Sequence, residues 1–296
     1  IVETTGPNVS NLVPGDHVVL TWKGGCGRCE MCQQGYLTVC DLMPTTQAKL
    51  TTRRNGIEVN KLVGLGAFST HTIVPETAAV SIDKNIPFPQ AALVGCAVTT
   101  GVGAAINTAH VRPGTTVAVF GCGGVGLNCI QGANIAAATT IIAVDLLDSK
   151  LEYAKTFGAT HTINASNEDP VARIIELTGG LGVHYAFEAI GLVESPFVQS
   201  VQCTRKRGLT VWVGAAPINT PVTLDARALF LEKTIMGSYL GSARPHIDIP
   251  RLLSLYKNNK LKLDELVTKT YSLEEINVAF DKLSKGEVAR SVISNE

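Results

Sequence analysis

A chain of 296 residues is long enough for about two domains, each with its own core. With 25 Lys plus Arg against 25 Asp plus Glu, its net charge is zero, which offers nothing to nucleic acid or to an anionic membrane. No charged-then-apolar leader opens the sequence, so no secretory signal is expected, and eight cysteines pose a choice between disulfides and metal.

The opening IVETTG reads as the middle of a strand heading into a turn, and Ile1 is no initiator Met, so residues upstream are expected. Pro14-Gly15-Asp16 is a turn, His17 to Leu20 a strand, and Phe68 to Val74 another. Frequent turn signals with little helical periodicity up to about Gly95 predict a small antiparallel β domain. His17 and His71 have no Cys, Asp or Glu at ligand spacing and read as satisfied or exposed histidines.

Within this region Cys26, Cys29, Cys32 and Cys40 follow C-x2-C-x2-C-x7-C, with Gly25, Gly27 and Gly35 letting the backbone turn back on itself. Two-residue gaps let successive sulfurs converge on one tetrahedral ion, and four thiolates leave no open position, so the pattern predicts a closed structural zinc site. A pair of disulfides and an iron–sulfur cluster are the alternatives. A reducing compartment argues against the first, and the missing ferredoxin spacing against the second. Asp41 to Gly64 is polar and reads as a surface loop, with Arg53-Arg54 as solvated charges. Cys96, in the apolar segment Pro87 to Ala105, reads on burial habits as a small core residue. Its place where the β region hands over to the next unit argues against that.

Thr116 to Asp145 organises the rest. A β-branched run to Phe120 enters Gly121-Cys122-Gly123-Gly124-Val125-Gly126, then an apolar helix, a strand from Thr140 to Val144, and Asp145. Gly121 allows the tight turn, Gly123 lets backbone approach a pyrophosphate, and Gly126 lets helix pack on strand, while first-turn N–H groups face the phosphates. Asp145 would accept from both ribose hydroxyls and repel a 2′-phosphate, favouring NAD over NADP. Val117 to Val144 carries no charge over a membrane-spanning length, but its glycines with Asn128, Gln131 and Asn134 fit a buried β-α-β unit better.

Helices are expected over Asp148 to Phe157, Pro170 to Leu177 and Pro196 to Thr204, with strands at Val183 to Glu188 and Leu209 to Val213. The sheet should finish near Leu240-Gly241, and Ile247 to Asn258 and Ser272 to Lys285 read as further helices, the second opened by a near capping box. Cys122, Cys129 and Cys203 lack metal partners and read as structural, as does the strand-end acid Glu188.

The four-cysteine lobe, Gly95-Cys96-Ala97-Val98-Thr99-Thr100-Gly101, the glycine turn with Asp145, and the tail Gly286-Glu-Val-Ala-Arg290 together resemble the zinc-dependent medium-chain alcohol dehydrogenase family, from Ile1 to Ile293. The resemblance implies an α/β fold: a Rossmann doubly wound parallel sheet at 98–239, plus a partial GroES-like β domain at 1–97 with a structural zinc lobe, to which 240–296 returns. It implies zinc held by Cys26, Cys29, Cys32 and Cys40, and Cys96 as one ligand of a second, catalytic zinc. Thr100, Ile190, Val213 and Ala215 would lie against the nicotinamide of NAD. Gly121, Gly123, Gly124, Val125 and Gly126 would meet the pyrophosphate, Asp145 and Lys150 the adenosine ribose, and Arg290 a phosphate oxygen.

The expected activity is hydride transfer from an alcohol or aldehyde adduct to NAD in a cytoplasmic homodimer or homotetramer. The other ligands of the catalytic zinc and the proton relay belong to roughly seventy residues upstream of the stretch that Ile1 matches. The chain as written is therefore expected to bind one zinc and to turn over little. Two alternatives stand beside this: a glutathione- or mycothiol-dependent formaldehyde dehydrogenase of the same family, and a non-catalytic NAD- and zinc-binding module working through partners.

Overall fold

The computed structural model describes residues 1–22, 24–42, 50–51, 56, 58–59, 62–285 and 290–295. The chain divides into two compact units, Ile1–Cys96 with Ala243–Asn259 and Leu263–Glu296, and Ala97–Ser242 with Lys260–Lys262.

In the first unit, β1 (His17–Leu20) follows the turn at Pro14-Gly15, where Gly15 has φ +91°. Strands β2 (Leu50–Thr51) and β3 (Glu58–Val59) pair antiparallel, and β4 (Ala79–Ile82) pairs antiparallel with β1. Two expected strands are absent. Val2 exchanges main-chain bonds with Gly15 and Asp16, at 2.8 and 2.9 Å, but Ile1 to Gly6 forms no strand. Phe68 to Val74 is a bent loop: the Ser69 hydroxyl lies 2.7 Å from the Gly66 carbonyl and 2.9 Å from that of His71, and the Thr72 hydroxyl bonds the Leu65 carbonyl. These local side-chain bonds compete with a ladder and win, and the strand comes later, as β4. His71 is exposed and pairs with Glu3 at 2.9 Å, while the His17 ring stacks on Phe88 at 4.6 Å. Arg53, Arg54, most of the loop around them and 286–289 lie outside the described residues.

The second unit is built on β5 (Thr116–Phe120), β6 (Thr140–Asp145), β7 (His161–Asn164), β8 (Val183–Glu188), β9 (Thr204–Trp212) and β10 (Thr234–Gly237). All pairs are parallel, in the order β10-β9-β8-β5-β6-β7. The central strands are apolar without alternation because helices cover both faces, and Val117, Ala118, Val119, Ile142 and Ala143 are wholly buried. Strand β7 was not anticipated, and β9 begins five residues before the expected Leu209. The expected helices are present at Gly124–Ile135, Asp148–Thr156, Pro170–Leu177 and Glu194–Gln202. Winding runs one way from β5 to β7 and the other way from β8 to β10, so the crevice for a ligand opens at the carboxyl ends of β5 and β8.

Val117 to Val144 is thus strand, helix and strand. A different helix, Phe88–Thr108, is long and apolar enough to cross a membrane, but 78% of its most apolar window is buried inside the protein. Its apolarity is answered by packing. After helix Pro245–Lys257 come β11 (Lys269–Ser272), helix Ile276–Ser284 and β12 (Ser291–Ser294), with β11 and β12 parallel. The helix expected from Ser272 starts later because Ser272 ends β11. Its backbone N–H still donates to Glu275 Oε2 at 3.0 Å, one half of the capping box.

Candidate functional site

At the end of β5 the chain turns at Gly121, whose φ of +92° lies in the left-handed region. The helix then starts close beneath it: a Cβ on Gly126 would overlap the Gly121 carbonyl oxygen, so only glycine fits there. Gly123 is the opposite case. A Cβ there would meet nothing within 4 Å, so the missing side chain leaves open space directly over the helix N-terminus. The first intrahelical bond is Leu127 N–H to the Gly123 carbonyl at 2.9 Å, which leaves the N–H groups of Gly124, Val125 and Gly126 to face that space. Bare backbone, free N–H donors and a helix dipole fit a pyrophosphate.

Asp145, at the end of β6 and half-buried, does more than the sequence indicated. Its Oδ2 accepts the Cys122 N–H at 2.8 Å and its Oδ1 accepts those of Leu146 and Leu147 at 2.8 and 3.3 Å. The carboxylate thus braces the glycine turn from the neighbouring strand. Of about four lone-pair sites on a carboxylate, roughly one remains for a ligand hydroxyl. The register Phe120↔Val144 brings the two strand ends level, a fact of pairing that no local motif encodes.

Lys150 lies in the first turn of helix Asp148–Thr156, and Thr100 in the half-buried part of the helix segment Thr99–Gly103. Ile190, Val213 and Ala215 follow β8 and β9 at the same edge of the sheet as Gly121. Cys122, Cys129 and Cys203 are buried, and burial pushes all three thiols up, Cys203 to about 12, so they are inert core residues.

In the first unit, the sulfurs of Cys26, Cys29, Cys32 and Cys40 lie within 4.8 Å of one another. Cys26 and Cys32 are 4.0 Å apart, and Cys29 and Cys40 3.8 Å. A tetrahedral ion with Zn–S bonds near 2.3 Å requires sulfurs about 3.8 Å apart, so the donors fit zinc. Gly25 and Gly27, both at φ +71°, fold the chain around them. Backbone N–H groups already point at the sulfurs: Arg28 and Cys29 donate to Cys26 Sγ at 3.5 and 3.4 Å, and Cys32 to Cys29 Sγ at 3.5 Å. The Arg28 N–H leads the causes that lower the Cys26 thiol to about 6, whereas burial holds Cys40 up at about 12. Four sulfurs this close become thiolates together only around a cation.

Cys96 is exposed, which removes the reading of a packed core thiol. Among the described residues it joins no group of three or more potential metal ligands. Its thiol lies in the electrostatic neighbourhood of Arg290, whose guanidinium burial pulls its pKa down. Arg290 Nε is buried and has no hydrogen-bond partner among the described residues.

The sequence pattern of the alcohol dehydrogenase GroES-like domain matches residues 1–84, and that of the zinc-binding dehydrogenase domain matches residues 124–258. The chain is 40% identical to alcohol dehydrogenase B of Mycobacterium tuberculosis, over 99% of this chain and 80% of that protein. It is 35% identical to the S-(hydroxymethyl)glutathione dehydrogenase of Paracoccus denitrificans, over 99% of this chain and 82% of that one. Its fold superposes on the crystal structure of benzyl alcohol dehydrogenase from Acinetobacter calcoaceticus with a TM-score of 0.91 and 36% identity, covering 99% and 81% of the two chains. With a zinc-fitting cysteine cluster on one unit and a dinucleotide turn on the other, the chain belongs to the zinc-dependent medium-chain alcohol dehydrogenases, enzymes of zinc and a nicotinamide cofactor.

Proposed function

We infer that this protein oxidises an alcohol, or the hydroxymethyl adduct of a thiol, with NAD as hydride acceptor. The observation that carries the reading is the open space over Gly123 at the start of helix Gly124–Ile135, with Asp145 at the adjoining strand end. There the N–H groups of Gly124, Val125 and Gly126 bind the pyrophosphate, helped by the helix dipole. Asp145 and Lys150 take the adenosine ribose. An acid at that point repels a 2′-phosphate, which favours NAD over NADP. Thr100, Ile190, Val213 and Ala215 orient the nicotinamide, and the family resemblance assigns Arg290 to a phosphate oxygen. When bound, the nicotinamide supplies the carbon that accepts hydride.

Cys26, Cys29, Cys32 and Cys40 hold a zinc with no open position, so that lobe braces the fold and performs no chemistry. The family resemblance assigns Cys96 to a second zinc, and its thiol is exposed. One thiol does not by itself define an open tetrahedral site. All eight cysteines are free thiols, which suits the reducing cytoplasm. A homodimer or homotetramer joined along β10 accords with that strand's position at the end of the sheet and with its exposed Met236.

The likeness to a glutathione-adduct dehydrogenase favours a second reading, in which the substrate is the hydroxymethyl adduct of a thiol. Titration with NADH and NADPH, then NADH formation by the full-length gene product across primary, benzylic and hydroxymethyl-glutathione substrates, tests both. Turnover that requires glutathione selects the second reading. NADH binding with zinc in place and no alcohol oxidised would point to a non-catalytic module, and failure to bind either dinucleotide would overturn all three.

A further inference from the structure

Glu188 ends β8 and is fully buried, with no counter-ion among the described residues. Its Oε1 accepts the N–H groups of Ile190 and Gly191 at 2.7 and 2.9 Å, and its backbone carbonyl accepts those of Val213 and Gly214 at 2.8 and 3.0 Å. One residue therefore ties down both connections that leave the carboxyl ends of β8 and β9. The surroundings are closely fitted. A Cβ on Gly214 would overlap Glu188 Oε2 and the Gly191 nitrogen, and one on Gly191, at φ +75°, would stand 2.5 Å from the Ala215 nitrogen. The third connection joins in as well. A Cβ on Gly121 would lie 2.5 Å from Ile190 Cγ1, and Ala189 N–H donates to the Phe120 carbonyl at 2.9 Å.

Burying a carboxyl is costly unless its oxygens are satisfied, yet Oε2 has no hydrogen-bond partner among the described residues. A fold that needed only packing at this point would be served better by an apolar side chain. The carboxyl does something an apolar group cannot: by drawing the Gly191 N–H inward across a trans peptide, it turns the Ile190 carbonyl outward.

We propose that Glu188 is a positioning residue for the nicotinamide half of the cofactor, setting the backbone of Ile190–Gly191 and Val213–Ala215 in the arrangement the dinucleotide meets. The proposal rests on the dinucleotide reading above.

The test compares Glu188→Leu, Glu188→Asp and Glu188→Gln with wild type in the full chain. It measures NADH affinity by nicotinamide fluorescence, AMP affinity by calorimetry, and amide hydrogen exchange at Ile190 and Gly191. Leu removes the acceptor and Asp withdraws it by one methylene. In either variant the two amides exchange faster, NADH affinity falls about tenfold or more, and AMP affinity stays within about twofold. Gln keeps an oxygen at the Oε1 position and holds NADH within about threefold of wild type. If Leu does not fold, Asp and Gln carry the comparison. Unchanged NADH binding in Leu or Asp, a parallel loss of NADH and AMP, or a tenfold loss in Gln would overturn the proposal while leaving the dinucleotide reading standing. A wild type that binds neither NADH nor NADPH would overturn that reading and this one with it.

Discussion

Asp145 illustrates how much one carboxylate is asked to do. It accepts three backbone N–H groups, one of them from the glycine turn, before any ribose arrives. Replacing it with Ser should therefore have two effects. Unfolding in urea should show a loss of about 1 to 2 kcal/mol for the lost bonds, and the NADH-over-NADPH preference should fall about tenfold or more. Gly126→Ala tests the turn from the other side, because there is no room for a methyl against the Gly121 carbonyl. A loss of about 3 kcal/mol or more in the same assay is expected. Burial raises the Glu188 carboxyl above its ordinary value, the largest influence on it, against the opposing N–H bonds. A group whose folded pKa exceeds its unfolded one contributes stability that is fully present below about pH 4.3 and lost as pH rises through the folded value. The stability of wild type relative to Glu188→Gln should accordingly decline as pH rises through that window, as read from paired urea unfolding curves. The glycines and the acid at 145 were legible in the sequence because their spacing is local. The brace between Asp145 and Cys122 was not, because it depends on which strand lies beside which.

The same division appears among the elements. The cysteine spacing announced a convergent cluster because C-x2-C geometry brings sulfurs together whatever surrounds them, and the sulfurs do converge. Phe68 to Val74 misled, since its β-branched and aromatic residues promise a strand while Ser69 and Thr72 spend their hydroxyls on nearby carbonyls. Helix Phe88–Thr108 was read only as an apolar segment. Its two π-helical turns, Val94–Val98 and Ala104–Thr108, disturb the 3.6-residue period by which a helix is recognised. For the lobe, metal analysis should find about one zinc per chain at the four cysteines. Cys29→Ser or prolonged chelation should release it and lower the thermal midpoint of the first unit, because metal binding to such a site is part of its folding energy. Full zinc retention in Cys29→Ser would contradict the assignment.

At the scale of the whole molecule, the six-stranded sheet ends at β10, three of whose four residues are exposed, with Phe230 80% exposed just before it. That edge is where the proposed oligomer would pair. Light scattering should report a dimer or tetramer, and Met236→Lys with Phe230→Asp should shift it toward monomer without loss of dinucleotide binding. The architecture was accessible from the sequence because the parallel strands are apolar runs separated by helices of ordinary length. The doubly wound order follows from right-handed crossovers that few sequences escape. The claim on which the rest depends is that the glycine turn at Gly121 to Gly126 cradles NAD. A fluorescence titration of the purified chain with NADH and NADPH tests it most directly. Saturable NADH binding, about tenfold or more tighter than NADPH and lost in Gly126→Ala, is the expected result. No saturable binding of either dinucleotide would contradict it.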